Sequence, residues 1–220
     1  MPQGNELFFK QIEVGMMQNF IYLIGSGRTK EVMVVDPAWE VDRILEEAKR
    51  EEVKIMGALI THTHFDHVNG VEELLEALPN TRVYVHKAEA GFLPKESANI
   101  VAVSGGEKIP LGDLEIQLIH TPGHTPGSQC FLVQNSLVSG DTLFIGACGR
   151  CDLPGGDPKQ LYESLTQRLM RLPEQTVIYP GHNYADQTSA TLKEQKQENP
   201  FMKFQSLDDF LEFMGHGRKK

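Results

Sequence analysis

Four side chains able to bind a metal ion fall within six residues, in the run Thr61-His62-Thr63-His64-Phe65-Asp66-His67. No other stretch of the 220-residue chain restricts the fold so tightly. Ligands this dense must be delivered by a rigid element and met by partners from elsewhere in the chain. The apolar run Ile55–Ile60 just before them fits a buried strand. In an extended segment His62 and His64, two apart, point the same way, and Asp66 and His67 follow on the turn into a helix. One such loop can feed two neighbouring ions. Imidazole and carboxylate donors suit zinc, iron or manganese, and the absence of nearby thiols argues against a structural cysteine–zinc site.

Three further candidates sit beside glycine, which permits a close backbone approach. They are His124 in Thr121-Pro122-Gly123-His124-Thr125-Pro126-Gly127-Ser128, Asp141 in Ser139-Gly140-Asp141-Thr142, and His182 in Tyr179-Pro180-Gly181-His182. The last two follow apolar runs, as loops at strand ends would. Elsewhere, Leu7–Val14, Asn19–Ile24, Val32–Val35, Phe131–Val133, Leu137–Ser139 and Val177–Tyr179 read as strands. Leu114, Ile116 and Leu118 alternate with polar residues as a half-buried strand does. Val41–Arg50 and Val71–Leu78 have helical spacing, Pro158–Leu172 reads as one amphipathic helix closed by Pro173, and Ser189–Gln197 and Asp208–Met214 read as two helices separated by Pro200. Strands in groups, interrupted by helices in two similar halves, favour packed sheets with helices outside.

The series His62-x-His64-x-Asp66-His67, then His124, Asp141 and His182, resembles the ligand pattern of the metallo-β-lactamase superfamily. The words around Pro122–Ser128, Gly140-Asp141-Thr142-Leu143-Phe144 and Gly149-Arg150-Cys151-Asp152 resemble its hydroxyacylglutathione hydrolase (glyoxalase II) branch. The resemblance implies an α+β fold, a four-layer αββα sandwich with metals at one edge between the sheets. Residues 1–220 would form a single domain with a short C-terminal helical extension at about 186–216. It implies that His62, His64 and His124 hold one divalent ion, that Asp66, His67 and His182 hold a second, and that Asp141 bridges them. Zinc is the expected metal, with iron or manganese as alternatives. Hydroxide generated on the metals would then attack a thioester carbonyl, with Asp66 and Asp141 as the catalytic carboxylates. Arg150 and Tyr184 are candidate substrate contacts; the bland readings are an ion pair between Arg150 and Asp152 and a packed aromatic at Tyr184. Persulfide dioxygenases share the fold and a similar Gly-Arg-x-Asp segment, and in that alternative His62, His124 and Asp141 alone would hold a single non-haem iron.

Two departures bear on the branch. Only 38 residues follow His182, so the helical region that helps bind glutathione in glyoxalase II is expected to be short. Cys151-Asp152-Leu153 stands where many of those sequences carry aromatics. A small acyl-thiol substrate is still expected. A formal charge of −9 with no basic stripe argues against nucleic acid as a partner. No apolar stretch nears the ~20 residues needed to cross a bilayer, so no membrane contact is expected. Three cysteines, an odd and low count, together with the lack of a signal-peptide pattern, suggest a reducing, cytoplasmic setting. Cys148-Gly149-Arg150-Cys151 has redox-dithiol spacing but not the helix-start setting of such a motif. Asp36, after Val34-Val35, resembles a family position that supports the ligands from behind, with a structural turn role as the favoured reading, and His86 and His120 read as core or surface histidines. His216 and the basic run Arg218-Lys219-Lys220 read as a tail. Neither a Gly-x-Ser-x-Gly elbow nor a phosphate-cradling Gly-x-x-x-x-Gly-Lys loop is present.

Overall fold

The computed structural model describes residues 6–93 and 98–215, so His216 and Arg218-Lys219-Lys220 lie outside the described residues. Strands β1 (Leu7–Val14), β2 (Asn19–Ser26), β3 (Glu31–Val35), β4 (Lys54–Leu59), β5 (Arg82–His86) and β6 (Ile100–Val103) form one sheet in chain order. Its first three strands pair antiparallel, and β3 to β6 pair parallel. Each parallel step needs a crossover. Helix α1 (Val41–Arg50) supplies one; a short helix α2 (Phe65–Val68) and α3 (Val71–Ala77) supply the next.

The second sheet is built from β7 (Lys108–Leu111), β8 (Leu114–His120), β9 (Gln129–Val133), β10 (Ser136–Gly140), β13 (Val177–Pro180) and β14 (Ala190–Thr191), in the spatial order β14-β13-β10-β9-β8-β7. Only β10 and β13 run parallel there. Between them the chain makes a two-stranded ribbon, β11 (Leu143–Phe144) with β12 (Ala147–Cys148), and helix α4 (Pro158–Glu163).

Side-chain alternation along β2 shows how the layers stack. Ile21 and Leu23 pack with Val41, Ile44, Val71 and Leu74 of α1 and α3. Phe20, Tyr22 and Ile24 point the other way, against Ile116, Leu118 and Phe131 of the second sheet. That sheet's far face, with Cys130, Leu137 and Ile178, meets Leu161, Leu165, Leu192 and Phe210 of the C-terminal helices. Three apolar interfaces thus separate four layers, αββα, as expected. No helix among the described residues is long and apolar enough to cross a membrane.

The expected single helix over Pro158–Leu172 is interrupted. Asp157 caps α4 by accepting from the Lys159 and Gln160 amides. The chain then widens into a π turn over Ser164–Arg168 and tightens into a 3-10 turn over Leu169–Arg171. Its buried residues Leu161, Leu165 and Leu169 recur every four positions, and a wider turn keeps such a series on one face. Helix α5 (Leu192–Glu198) starts later than its spacing suggests: Ala190-Thr191 is held in β14, and a capping box between Thr191 and Glu194 sets the first turn. Helix α6 (Leu207–Phe213) is capped by Ser206.

Candidate metal centre

The ligand-bearing loops all leave carboxyl ends of strands: β4 in the first sheet, and β8, β10 and β13 in the second. Gln129 ties the sheets together at this edge, donating from its side chain to the Ile60 carbonyl (2.8 Å) and from its backbone to that of Thr61 (2.9 Å). Gly181 is required here, because a Cβ would be driven into Asp141 Oδ1. Gly140 has φ +50°, and a Cβ there would sit 2.7 Å from Thr61 Cβ.

All seven sequence candidates converge. His62 Nε2 and His124 Nε2 each lie 3.0 Å from His64 Nδ1. His67 Nε2 lies 3.2 Å from His182 Nε2, and Asp66 Oδ2 lies 3.4 and 3.3 Å from those same two nitrogens. These two trios could each hold an ion. Asp141 spans them: Oδ1 is 3.5 Å from His67 Nε2, and Oδ2 is 3.6 Å from His124 Nε2 and 3.4 Å from His182 Nε2.

Outer hydrogen bonds fix which nitrogen faces inward. His67 Nδ1 donates to Asp36 Oδ2 (2.9 Å), His124 Nδ1 to the Arg150 carbonyl (2.7 Å) and His182 Nδ1 to the Met17 carbonyl (2.9 Å). The Thr61 hydroxyl donates to Asp36 Oδ2 (2.6 Å), so it accepts from His62 Nδ1 (3.0 Å). Four imidazoles therefore turn Nε2 inward, while His64 turns Nδ1 inward.

These donors fit divalent ions. Asp141 Oδ1 is buried and lacks any hydrogen-bond partner, a costly state for a carboxylate unless a cation meets it. Electrostatics point the same way. Burial disfavours a charged His67, yet the Asp141 and Asp36 carboxylates outweigh it and raise this imidazole to about 9. Burial and the neighbouring His67 hold His62 well below the ordinary range, and burial with His124 lowers His64. Burial opposes ionisation of Asp141, but His67 and His182 keep it far below the usual carboxylate range. Imidazole nitrogen with carboxylate oxygen is the donor set of zinc, iron or manganese.

Further residues position the ligands from behind, one of them anticipated by the resemblance. Asp36 does occupy a strained turn, at φ 51°, but its buried carboxylate also orients His67 and Thr61 and accepts from the Thr61 amide (2.7 Å). The Val-Val-Asp-Pro run was the available signal. Asn19 donates to Asp66 Oδ2 (2.8 Å) and to the Asp66 carbonyl (3.0 Å), and accepts from Trp39 Nε1 (3.0 Å). Glu89, 2% exposed, accepts from the Thr63 amide, the Thr63 hydroxyl and the Gly127 amide at 2.7–2.9 Å, joining two ligand loops. No motif marked Asn19 or Glu89. His86 and His120 stack on one another, 3.9 Å between ring centres, and belong to neither ligand trio.

A cavity of about 540 Å³ opens over the centre, lined in part by Met17, Phe65, Phe144, Leu153, Arg150 and Tyr184. The last two are the expected substrate contacts. Arg150 makes a two-pronged ion pair with Asp152 (2.8 and 2.9 Å), and Tyr184 stacks on His182 at 4.6 Å. The cysteines are free thiols, and burial raises both Cys148 and Cys151, the latter to about 11, contrary to what a redox dithiol needs.

The family model of the metallo-beta-lactamase superfamily matches residues 14–182. A probable polyketide biosynthesis zinc-dependent hydrolase of Bacillus velezensis, BaeB, is 29% identical over 205 residues, 93% of this chain and 91% of that protein. A probable hydroxyacylglutathione hydrolase of Schizosaccharomyces pombe is 35% identical over 77% of this chain and 66% of its own length. The human mitochondrial persulfide dioxygenase ETHE1 is 29% identical over 97% of this chain and 82% of its own. The crystal structure of ETHE1 from Myxococcus xanthus superposes with a TM-score of 0.85 at 31% identity, covering 94% of this chain and 90% of that one.

Proposed function

The chain belongs to the metallo-β-lactamase superfamily, and from that premise we propose that it is a two-ion hydrolase of small acyl-thiol esters, of the hydroxyacylglutathione hydrolase kind. One observation carries the reading. The buried Asp141 carboxylate reaches both trios, Oδ2 towards His124 and His182 and Oδ1 towards His67, and Oδ1 accepts no hydrogen bond; a carboxylate so placed has the form of a bridging ligand. In this reading His62, His64 and His124 hold one ion, Asp66, His67 and His182 the other, and Asp141 both, with zinc the expected metal. Bound there, two divalent ions would supply a hydrolytic nucleophile at neutral pH and neutralise negative charge growing on a carbonyl oxygen.

The chain's own residues supply the rest. Asp66 lines the cavity and accepts a hydrogen bond from the attacking water, its carboxylate held by Asn19. Tyr184 and Arg150 flank the bound ester on the open side. No acid is needed at the leaving group, because a thiol of pKa about 8.5 departs as the thiolate. Three free cysteines support a cytoplasmic setting.

The second reading is a persulfide dioxygenase with one iron held by His62, His124 and Asp141. Coverage favours it: the human persulfide dioxygenase matches over 82% of its length, the yeast hydroxyacylglutathione hydrolase over only 66%. Metal analysis of anaerobically purified protein separates the two. Two ions per chain, with thioester hydrolysis lost on chelation and restored by zinc, support the hydrolase. One iron per chain, with oxygen uptake on glutathione persulfide, would replace it.

A further inference from the structure

Large apolar side chains exposed to water are few among the described residues, and more than half of them lie at the metal-centre cavity or the hollow beside it. Of the seven among the described residues, Met17, Phe65 and Tyr184 line the cavity over the metal centre, and Phe92 lines a neighbouring hollow that shares the His64 wall. Phe65 is 71% exposed and Phe92 is 77% exposed. Clustering of this kind around a pocket marks a surface that a ligand covers. The cavity wall behind them continues apolar through Phe144 and Leu153.

Charge points the same way. Among the described residues Arg150 is the only Lys or Arg on the cavity wall, and Asp152 already takes its Nε and one Nη in a two-pronged pair. The whole chain carries −9. Glutathione, with two carboxylates, would find on this wall one cation that a carboxylate already pairs. An uncharged, apolar chain would meet side chains that are otherwise wet.

We propose that the preferred substrates are thioesters with an apolar acyl chain, seated on Phe65 and Met17, and that the glutathione moiety contributes no recognition. This rests on the thioesterase reading above and names its substrate class.

The test uses the full chain loaded with zinc and two series, the acetyl, butyryl and hexanoyl thioesters of N-acetylcysteamine and of glutathione. Burial of each methylene should raise kcat/KM about two- to fourfold, alike in both series. The exposed variants Phe65→Ser and Met17→Ser should lower the hexanoyl-to-acetyl ratio of kcat/KM about two- to fivefold. A flat chain-length series, unchanged ratios in both variants, or a glutathione series about tenfold faster, the worth of one good ionic contact, would overturn the inference alone. No hydrolysis in either series with two zinc ions bound would overturn the thioesterase reading on which it rests.

Discussion

Asn19 commits its whole side-chain amide to its neighbours. Its Nδ2 donates twice to Asp66, and its oxygen is held by the Trp39 indole, so the amide cannot turn over without losing the Asp66 bonds. These contacts touch only the trio of Asp66, His67 and His182. Asn19→Ala should therefore weaken the second ion by about 10–100-fold while leaving the first in place. Zinc titration of the metal-free variant checks this, and equal loss at both positions would show that Asn19 serves only folding. The thiols give a pH-dependent expectation. A thiol with a raised pKa stays protonated, hence unreactive, until pH nears that value. Burial takes Cys151 to about 11 and raises Cys148 as well. Alkylation by iodoacetamide should be slow at pH 8 and quicken about tenfold per pH unit above it. Rapid labelling of either residue at pH 8 in the native protein would contradict the placement.

Loops rather than regular elements carry the ligands, and Glu89 is what couples two of them. It follows β5 and takes hydrogen bonds from the loop after β4 and the loop after β8. Glu89→Ala would leave the half-buried amide of Thr63 and the buried amide of Gly127 unmet, and should lower unfolding free energy by about 2–5 kcal/mol. Denaturant unfolding measures it, and a change within about 0.5 kcal/mol would mean that water or relaxation replaces the carboxylate. The ligands themselves were legible in the sequence because they are side chains with restricted chemistry, four of them within six residues and three flagged by glycine. The supports were not. Met17 and Arg150 contribute carbonyl oxygens, which any residue could offer, and Asn19 and Glu89 act across 47 and 26 residues of intervening chain. Strands showed the same division. The long, two-face-buried β2 was plain, whereas β7 carries Pro110, a mark against a strand that is tolerated only because β7 lies at the sheet edge. β5 and β6 are short, and their pairing is fixed by parallel neighbours far along the chain.

Across the whole molecule, the ligand set draws on both sheets: His62, His64, Asp66 and His67 follow β4, and His124, Asp141 and His182 follow strands of the opposite sheet. Bound ions would therefore clamp the sandwich at this edge. At free zinc one hundred times Kd, one site adds about 2.7 kcal/mol. For a chain of this size that raises the melting temperature by about 5–10 °C, at roughly 2–4 °C per kcal/mol. Calorimetry before and after chelation should show the drop and its reversal by zinc, and an unchanged melting temperature would argue against ligation from both sheets. The bond from His182 to the Met17 carbonyl, 165 positions apart, has a further meaning. A growing polypeptide emerging from the ribosome has its opening hairpin long before it has the imidazole that hairpin must steady. Metal capture at the second position is thus deferred until the chain has been made past β13, and any fragment released short of that strand would be born without it.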